Sequence, residues 1–178
     1  MSTAVLEVDP RYPIGNFDKS TVDRSRRAEY IRTYSELPAK LAAAVAGLTD
    51  EQLDTPYRDG GWTLRQTVHH MAESHMNGFI RIKFALTEDA PTIMPYDEAS
   101  WANLPDTSLP VDSSLKILQG VHERLTTLLR GLSDEQFERT YVNPESGPWT
   151  IGAFVALYAW HSRHHTAHNT TTRERNGW

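Results

Sequence analysis

Gly47-Leu48-Thr49-Asp50-Glu51-Gln52-Leu53 returns later in the chain as Gly131-Leu132-Ser133-Asp134-Glu135-Gln136-Phe137. Each copy has a Thr or Ser three residues before a Gln, the pattern that lets side chain and backbone cap each other at the start of a short helix. A turn follows in both, and then a Trp-Thr-aliphatic start: Trp62-Thr63-Leu64 and Trp149-Thr150-Ile151. Ahead of each copy runs a stretch of apolar residues at three- and four-residue spacing. The chain therefore reads as long helix, short helical turn, long helix, twice over. Two such pairs make an all-α four-helix bundle with a long connection between its halves.

Outward from the repeat, the first helix is expected from about Thr21 to Gly47. Tyr30, Ile31, Tyr34, Leu37, Leu41, Ala44, Val45 and Leu48 form its stripe, and Pro38 inside that run should kink or break it. Residues 1–20, with Pro10, Pro13 and Gly15, read as an extended arm. The second helix opens at Thr63, where Gln66 completes a capping box, and runs to about Leu86. Residues 87–112 hold Pro91, Pro95, Pro105 and Pro110, too long a stretch for a tight turn and suited to a crossover. A third helix spans about Ser113 to Arg130. The last begins at Thr150 and reaches the Thr170–Arg173 region. No stretch shows sustained two-residue alternation, and one domain over residues 1–178 is expected.

The 178 residues are 39% hydrophobic and 23% charged, with net charge −5 and no cysteine. That mix gives a folded, soluble domain with its own core. A net acidic chain is a poor partner for nucleic acid or an anionic membrane. Arg24, Arg26 and Arg27 read as a solvated helix face. No apolar run approaches the ~20 residues of a spanning helix, and the N-terminus lacks a signal-peptide core. The absence of cysteine removes disulfides, thiolate ligands and cysteine nucleophiles, and fits a cytoplasmic protein.

Eight histidines stand out, four of them between His161 and His168. His161 and His165 lie one helical turn apart, and His161 continues the inward stripe of Phe154, Leu157 and Tyr158. A histidine where a bundle wants a hydrophobe must be hydrogen-bonded, ion-paired or bound to metal. Two imidazoles at i and i+4 can hold a single ion. His164 and His168 have the same spacing, so the last helix alone leaves the pair open. A third ligand must come from another helix, where His69, His70 and His75 are candidates. The helical wheel puts His75 in the apolar stripe of Leu64, Val68, Met71, Ala72, Phe79 and Ile82. It puts His70 on the polar face with Gln66, Glu73, Asn77 and Arg81.

Trp62-Thr63-Leu64-Arg65-Gln66-Thr67-Val68-His69-His70-Met71-Ala72 resembles the signature of the DinB/YfiT-like superfamily of metal-binding four-helix bundles. Leu53 to Trp62, Ser74-His75-Met76-Asn77 and Pro95-Tyr96-Asp97-Glu98 resemble its YfiT branch, the metal-dependent hydrolases and bacillithiol transferases. The resemblance extends from about Tyr12 to Trp178. It implies His70, His161 and His165 as the metal ligands, choosing His70 over the His75 that the wheel favours. His75 then becomes a core histidine or one supporting a ligand. It also implies a homodimer.

Three neutral imidazoles leave a coordination position open, the pattern of a catalytic rather than a structural ion, and suit zinc or nickel. The Glu-x-x-His pairs of di-iron bundles are missing, so one ion is expected. Two reactions compete at that ion by resemblance. In one, it activates a small thiol co-substrate of the bacillithiol kind for S-transfer to an electrophile. In the other, metal-bound hydroxide hydrolyses an ester or amide. The motif carries no clear general base, which favours the thiol. A non-catalytic metal-binding stress bundle is the rival of another class. Asn77 and Arg81 extend the His70 face and are candidates for positioning substrate. Tyr96, Asp97 and Glu98 either reach the groove or cap a short helix, and His122 reads as a buried structural histidine.

Overall fold

The structure is a computed structural model that describes residues 9–178; the part of the expected arm in residues 1–8 lies outside them. Four long helices form the body: α1 (Arg27–Val45), α3 (Leu64–Thr87), α5 (Asp112–Arg130) and α7 (Ile151–Asn176). The repeated motif gives the one-turn helices α2 (Asp50–Leu53) and α6 (Asp134–Phe137), each opened by a complete capping box, Thr49 with Gln52 and Ser133 with Gln136. Thr63 and Gln66 form a third box at the start of α3, and the Thr150 hydroxyl caps α7. The short helix α4 (Glu98–Trp101) and a 3-10 turn, Pro105–Ser108, interrupt the crossover.

The members of each sequence pair do not pack side by side. α1 packs against α5 and α7, and α3 packs against the same two, so α1 and α3 face each other across a diagonal. α5 and α7 occupy the other diagonal. Two contacts show that α3 and α5 run parallel: His69 meets Ser114 near their starts, and His75 meets His122 further along. A parallel neighbour requires the chain to return the length of α3, about 36 Å at 1.5 Å per residue, before α5 can begin. Residues 88–111 make that return.

Three expectations are corrected. The all-helical reading misses a hairpin, β1 (Thr140–Asn143) and β2 (Gly147–Thr150), onto which Pro91–Ile93 of the crossover adds through hydrogen bonds with Val142. Four-residue strands are too short to show alternation, and the turn depends on Gly147 at φ +76°. Of the kink or break expected at Pro38, the break does not occur, and α1 passes through it as one helix. Proline has no N–H for the carbonyl four residues back, which is that of Tyr34, and His122 Nδ1 donates to this oxygen at 2.7 Å instead. Residues 21–26, placed within the first helix by sequence, belong instead to two 3-10 turns, Lys19–Thr21 and Arg24–Arg26, capped by Asp18 and Asp23. Arg24, Arg26 and Arg27 pair with Glu138, Glu29 and Asp134 on the surface, as a solvated face should.

The core falls into two apolar clusters. One contains Tyr34, Phe79, Ile82, Leu125, Leu129 and Phe154; the other contains Leu37, Leu41, Leu64, Val68, Met71 and Leu118. Between them along their helices lie His75 on α3 and His122 on α5, and His161 on α7 follows the last residue of the first cluster. Imidazoles thus divide the apolar interior, and the bundle needs hydrogen bonds there to offset their desolvation.

Candidate metal centre

α3 and α7 run antiparallel, as the contacts of Thr67 with Asn169, His70 with His161 and Ser74 with Tyr158 show. Their approach is close at Gly78, where a Cβ would stand 2.8 Å from the Tyr158 ring. This brings His70 opposite the His161–His165 turn. The ligand-capable nitrogens of His70, His161 and His165 all lie within 4.8 Å of one another. His70 Nε2 is 3.3 Å from His161 Nε2. Two imidazoles bonded at about 2.0–2.1 Å to one tetrahedral ion would place their nitrogens about 3.3–3.4 Å apart, so the residues fit a zinc-like ion.

All three rings are neutral at pH 7. Burial lowers the His70 pKa to about 4. Burial, followed by the neighbouring histidines, holds His161 and His165 well below the usual imidazole value. Neutral rings keep the lone pair that a metal requires. The Nδ1 of His70 is buried without a hydrogen-bond partner among the described residues.

His70 is buried although it belongs to the polar face of the wheel. The indole of Trp62 packs over it at 4.8 Å, and the crossover covers the same face through the bond from Gln66 Nε2 to the Ala102 carbonyl. His75 is buried as the wheel indicates, but it does not join the three. Its ring is held between His122 and His161.

The three histidines open onto a cavity of about 420 Å³. Trp62, Trp149 and Trp160 line it with Tyr96, Tyr141 and Leu157, while Arg81, Glu98, Glu145 and Ser146 supply polarity. Asp97 caps α4, while Tyr96 and Glu98 reach the cavity. Arg81 lies on the wall and donates to the Met94 carbonyl at 3.3 Å. The Asn77 amide turns back onto the Glu73 carbonyl. Sequence reasoning missed the hairpin residues Tyr141, Asn143, Glu145 and Ser146. The repeat did contain a signal for Trp149, since its counterpart Trp62 lines the same cavity.

Two other places compete for attention. A groove of about 730 Å³ lies between α1 and α5, but the one histidine lining it, His122, has both ring nitrogens bonded. His164, His165 and His168 also cluster. They share a single helix, and His168 lies stacked on Tyr57 at 4.0 Å, outside the cavity lining. His69 is a tie to the crossover and the start of α5: its Nε2–H donates to the Leu109 carbonyl and its Nδ1 accepts from Ser114.

The comparisons with known proteins agree with this architecture. The sequence profile described as "DinB superfamily" matches residues 33–168. A Bacillus mycoides protein named "Putative metal-dependent hydrolase" is 51% identical, covering 96% of this chain and 99% of its own length. A Bacillus cereus protein of the same name is 50% identical over the same shares. The solved structure of YfiT from Bacillus subtilis, described as "a probable metal-dependent hydrolase with an unusual four-helix bundle topology", superposes with a TM-score of 0.91. It is 47% identical, with 96% of this chain and 99% of that chain covered. On the matched residues, the bundle and the relatives' similarity along their whole length, the chain belongs to the DinB superfamily.

Proposed function

We propose that the protein is a metal-dependent enzyme in which His70, His161 and His165 hold one divalent ion, zinc or nickel. The observation that carries this reading is the 3.3 Å separation of the His70 and His161 Nε2 atoms beside His165 at the base of the cavity. A bound ion would act as a Lewis acid, lowering the pKa of a water or thiol placed against it. The chain's own residues would do the rest. Trp62, Trp149 and Trp160 exclude water and offer apolar area to a small substrate. Arg81 sets a fixed positive charge on the wall for an anionic group. The carboxylates lining the cavity, Glu98 and Glu145, are both exposed.

The finer reading is S-transfer from a small bacillithiol-like thiol to an electrophile. A thiol needs no buried carboxylate base once its proton is lost, and the lining around the three rings is imidazole and aromatic. Hydrolysis of an ester or amide is the second reading, favoured by the names of the relatives. In the same proposal the protein works in the cytoplasm. It pairs with a second copy through Met76, Ile80 and Phe84, an exposed apolar stripe on α3. Sedimentation of Ile80→Glu against wild type tests the pairing, a monomer–dimer difference being the expected result.

Metal content of untagged protein, measured by mass spectrometry beside His70→Ala and His164→Ala, tests the centre. About one ion per chain is expected in wild type and His164→Ala, with loss in His70→Ala. Loss in His164→Ala alone would move the site to the other cluster. Conjugation of a thiol with an electrophile and ester hydrolysis, assayed on the loaded protein, then separate the two reactions.

A further inference from the structure

The histidines that hold no ion form hydrogen-bond chains with a defined direction. The Tyr34 carbonyl can only accept, so His122 Nδ1, 2.7 Å away, carries the hydrogen. The neutral His122 ring then has a lone pair at Nε2. Facing it at 2.9 Å is His75 Nδ1, which must therefore donate. His75 Nε2 is left as an acceptor, and 3.4 Å from it lies His161 Nδ1. His161 consequently carries its hydrogen on Nδ1 and its lone pair on Nε2, the atom that faces His70. A second chain has the same polarity. His168 Nε2 donates to the Arg11 carbonyl at 3.4 Å, so its Nδ1 accepts from His165 Nδ1 at 3.3 Å. That leaves the lone pair of His165 on its Nε2.

We propose that His75 and His122 on one side, and His168 on the other, are positioning residues that fix the tautomers of His161 and His165. Each chain ends on a backbone carbonyl, and a carbonyl does not change between donor and acceptor. The orientation of both rings is thereby set before any ion arrives. Pro38 contributes at a distance: its missing N–H leaves the Tyr34 carbonyl free of a helical partner, and His122 takes that place. His70 has no such support among the described residues, where its Nδ1 lacks a partner. The inference rests on the metal reading for its purpose but not for its geometry.

The test uses ring nitrogen NMR of histidine-labelled, metal-free protein, with zinc competition against a chelator of known affinity. Wild type is expected to show Nδ1–H on His161 and His165 and Nε2–H on His168. His122→Leu should keep the helical signal, lose the single tautomer at His161, and bind zinc about 10–100-fold more weakly. His122→Gln, whose amide can donate to Tyr34 and accept from His75, should restore the tautomer and most of the affinity. A purely packing role for His122 would change stability and leave the His161 tautomer alone. Nε2–H on His161 in wild type overturns the proposal, and that spectrum decides even if His122→Leu fails to fold. A folded His122→Leu with the wild-type tautomer and zinc affinity overturns it as well. Wild-type protein that shows the expected tautomers but takes up no zinc would support the chains and overturn the metal reading.

Discussion

The two ends of the histidine array are both largely withdrawn from water and use their nitrogens in opposite ways. At the sealed end, His75 and His122 each have both ring nitrogens engaged, by each other, by His161 and by the Tyr34 carbonyl. At the open end, His70 and His161 turn their Nε2 atoms toward each other, and His70 Nδ1 has no partner among the described residues. Burial alone therefore does not identify a ligand. What distinguishes the open end is polarity left unsatisfied beside a cavity, where an added group would complete it. Helix periodicity reports burial, so it selected His75; partners across the bundle distinguish it from His70.

Acid should act on both ends, and the sealed end can be tested through His122. Burial lowers the His122 pKa from 6.5 to about 4. Above pH 6.5 this ring is neutral folded and unfolded, and proton binding has no effect on stability. Between pH 6.5 and 4 only the unfolded chain takes up the proton, so stability falls as the pH falls. One fully buried ring shifted this far is worth roughly 3 kcal/mol across that window. Urea unfolding of metal-free protein at several pH values should show a slope to which every depressed histidine adds, and His122→Leu should reduce it by the share of that one ring. An unchanged slope in the variant would mean that the sealed end does not titrate as its burial implies.

A smaller effect is expected at the helix contact joining the two ends. Gly78→Ala puts a methyl group 2.8 Å from the Tyr158 ring, which is held by its hydrogen bonds with Ser74. Overpacking of this kind costs about 1–3 kcal/mol. Spreading α3 from α7 should also weaken zinc binding, because His70 and His161 sit on those two helices. Urea denaturation and chelator competition would measure both; loss of stability with full zinc affinity would uncouple the contact from the centre. The smallest effect belongs to the cavity wall. Arg81→Ala should change stability by no more than about 0.5 kcal/mol and leave zinc affinity alone, while lowering turnover of an anionic substrate. A clear drop in zinc affinity would tie Arg81 to the ion instead of to substrate.

Much of the architecture was legible in local residues. Thr49, Thr63 and Ser133 with their glutamines announced three helix starts, because a capping box is complete within four residues. The i and i+4 spacing placed His161 and His165 on one turn for the same reason. The β-hairpin was not legible, since its strands depend on pairing with each other and with the crossover. With it went Tyr141, Asn143, Glu145 and Ser146 of the cavity wall.

By itself, then, the sequence determined the helices, their caps, the repeat and the supply of histidines, all set by interactions within a few residues along the chain. Its resemblance to the superfamily pointed to His70. Tertiary structure decided that the two long helices within each copy of the repeat sit on diagonals and that the polar face of α3 lies under Trp62 and the crossover. It also decided which imidazoles close on one another and which stay open. Those outcomes depend on which side chains meet across the bundle, and helical periodicity carries no information about the neighbour a face will find.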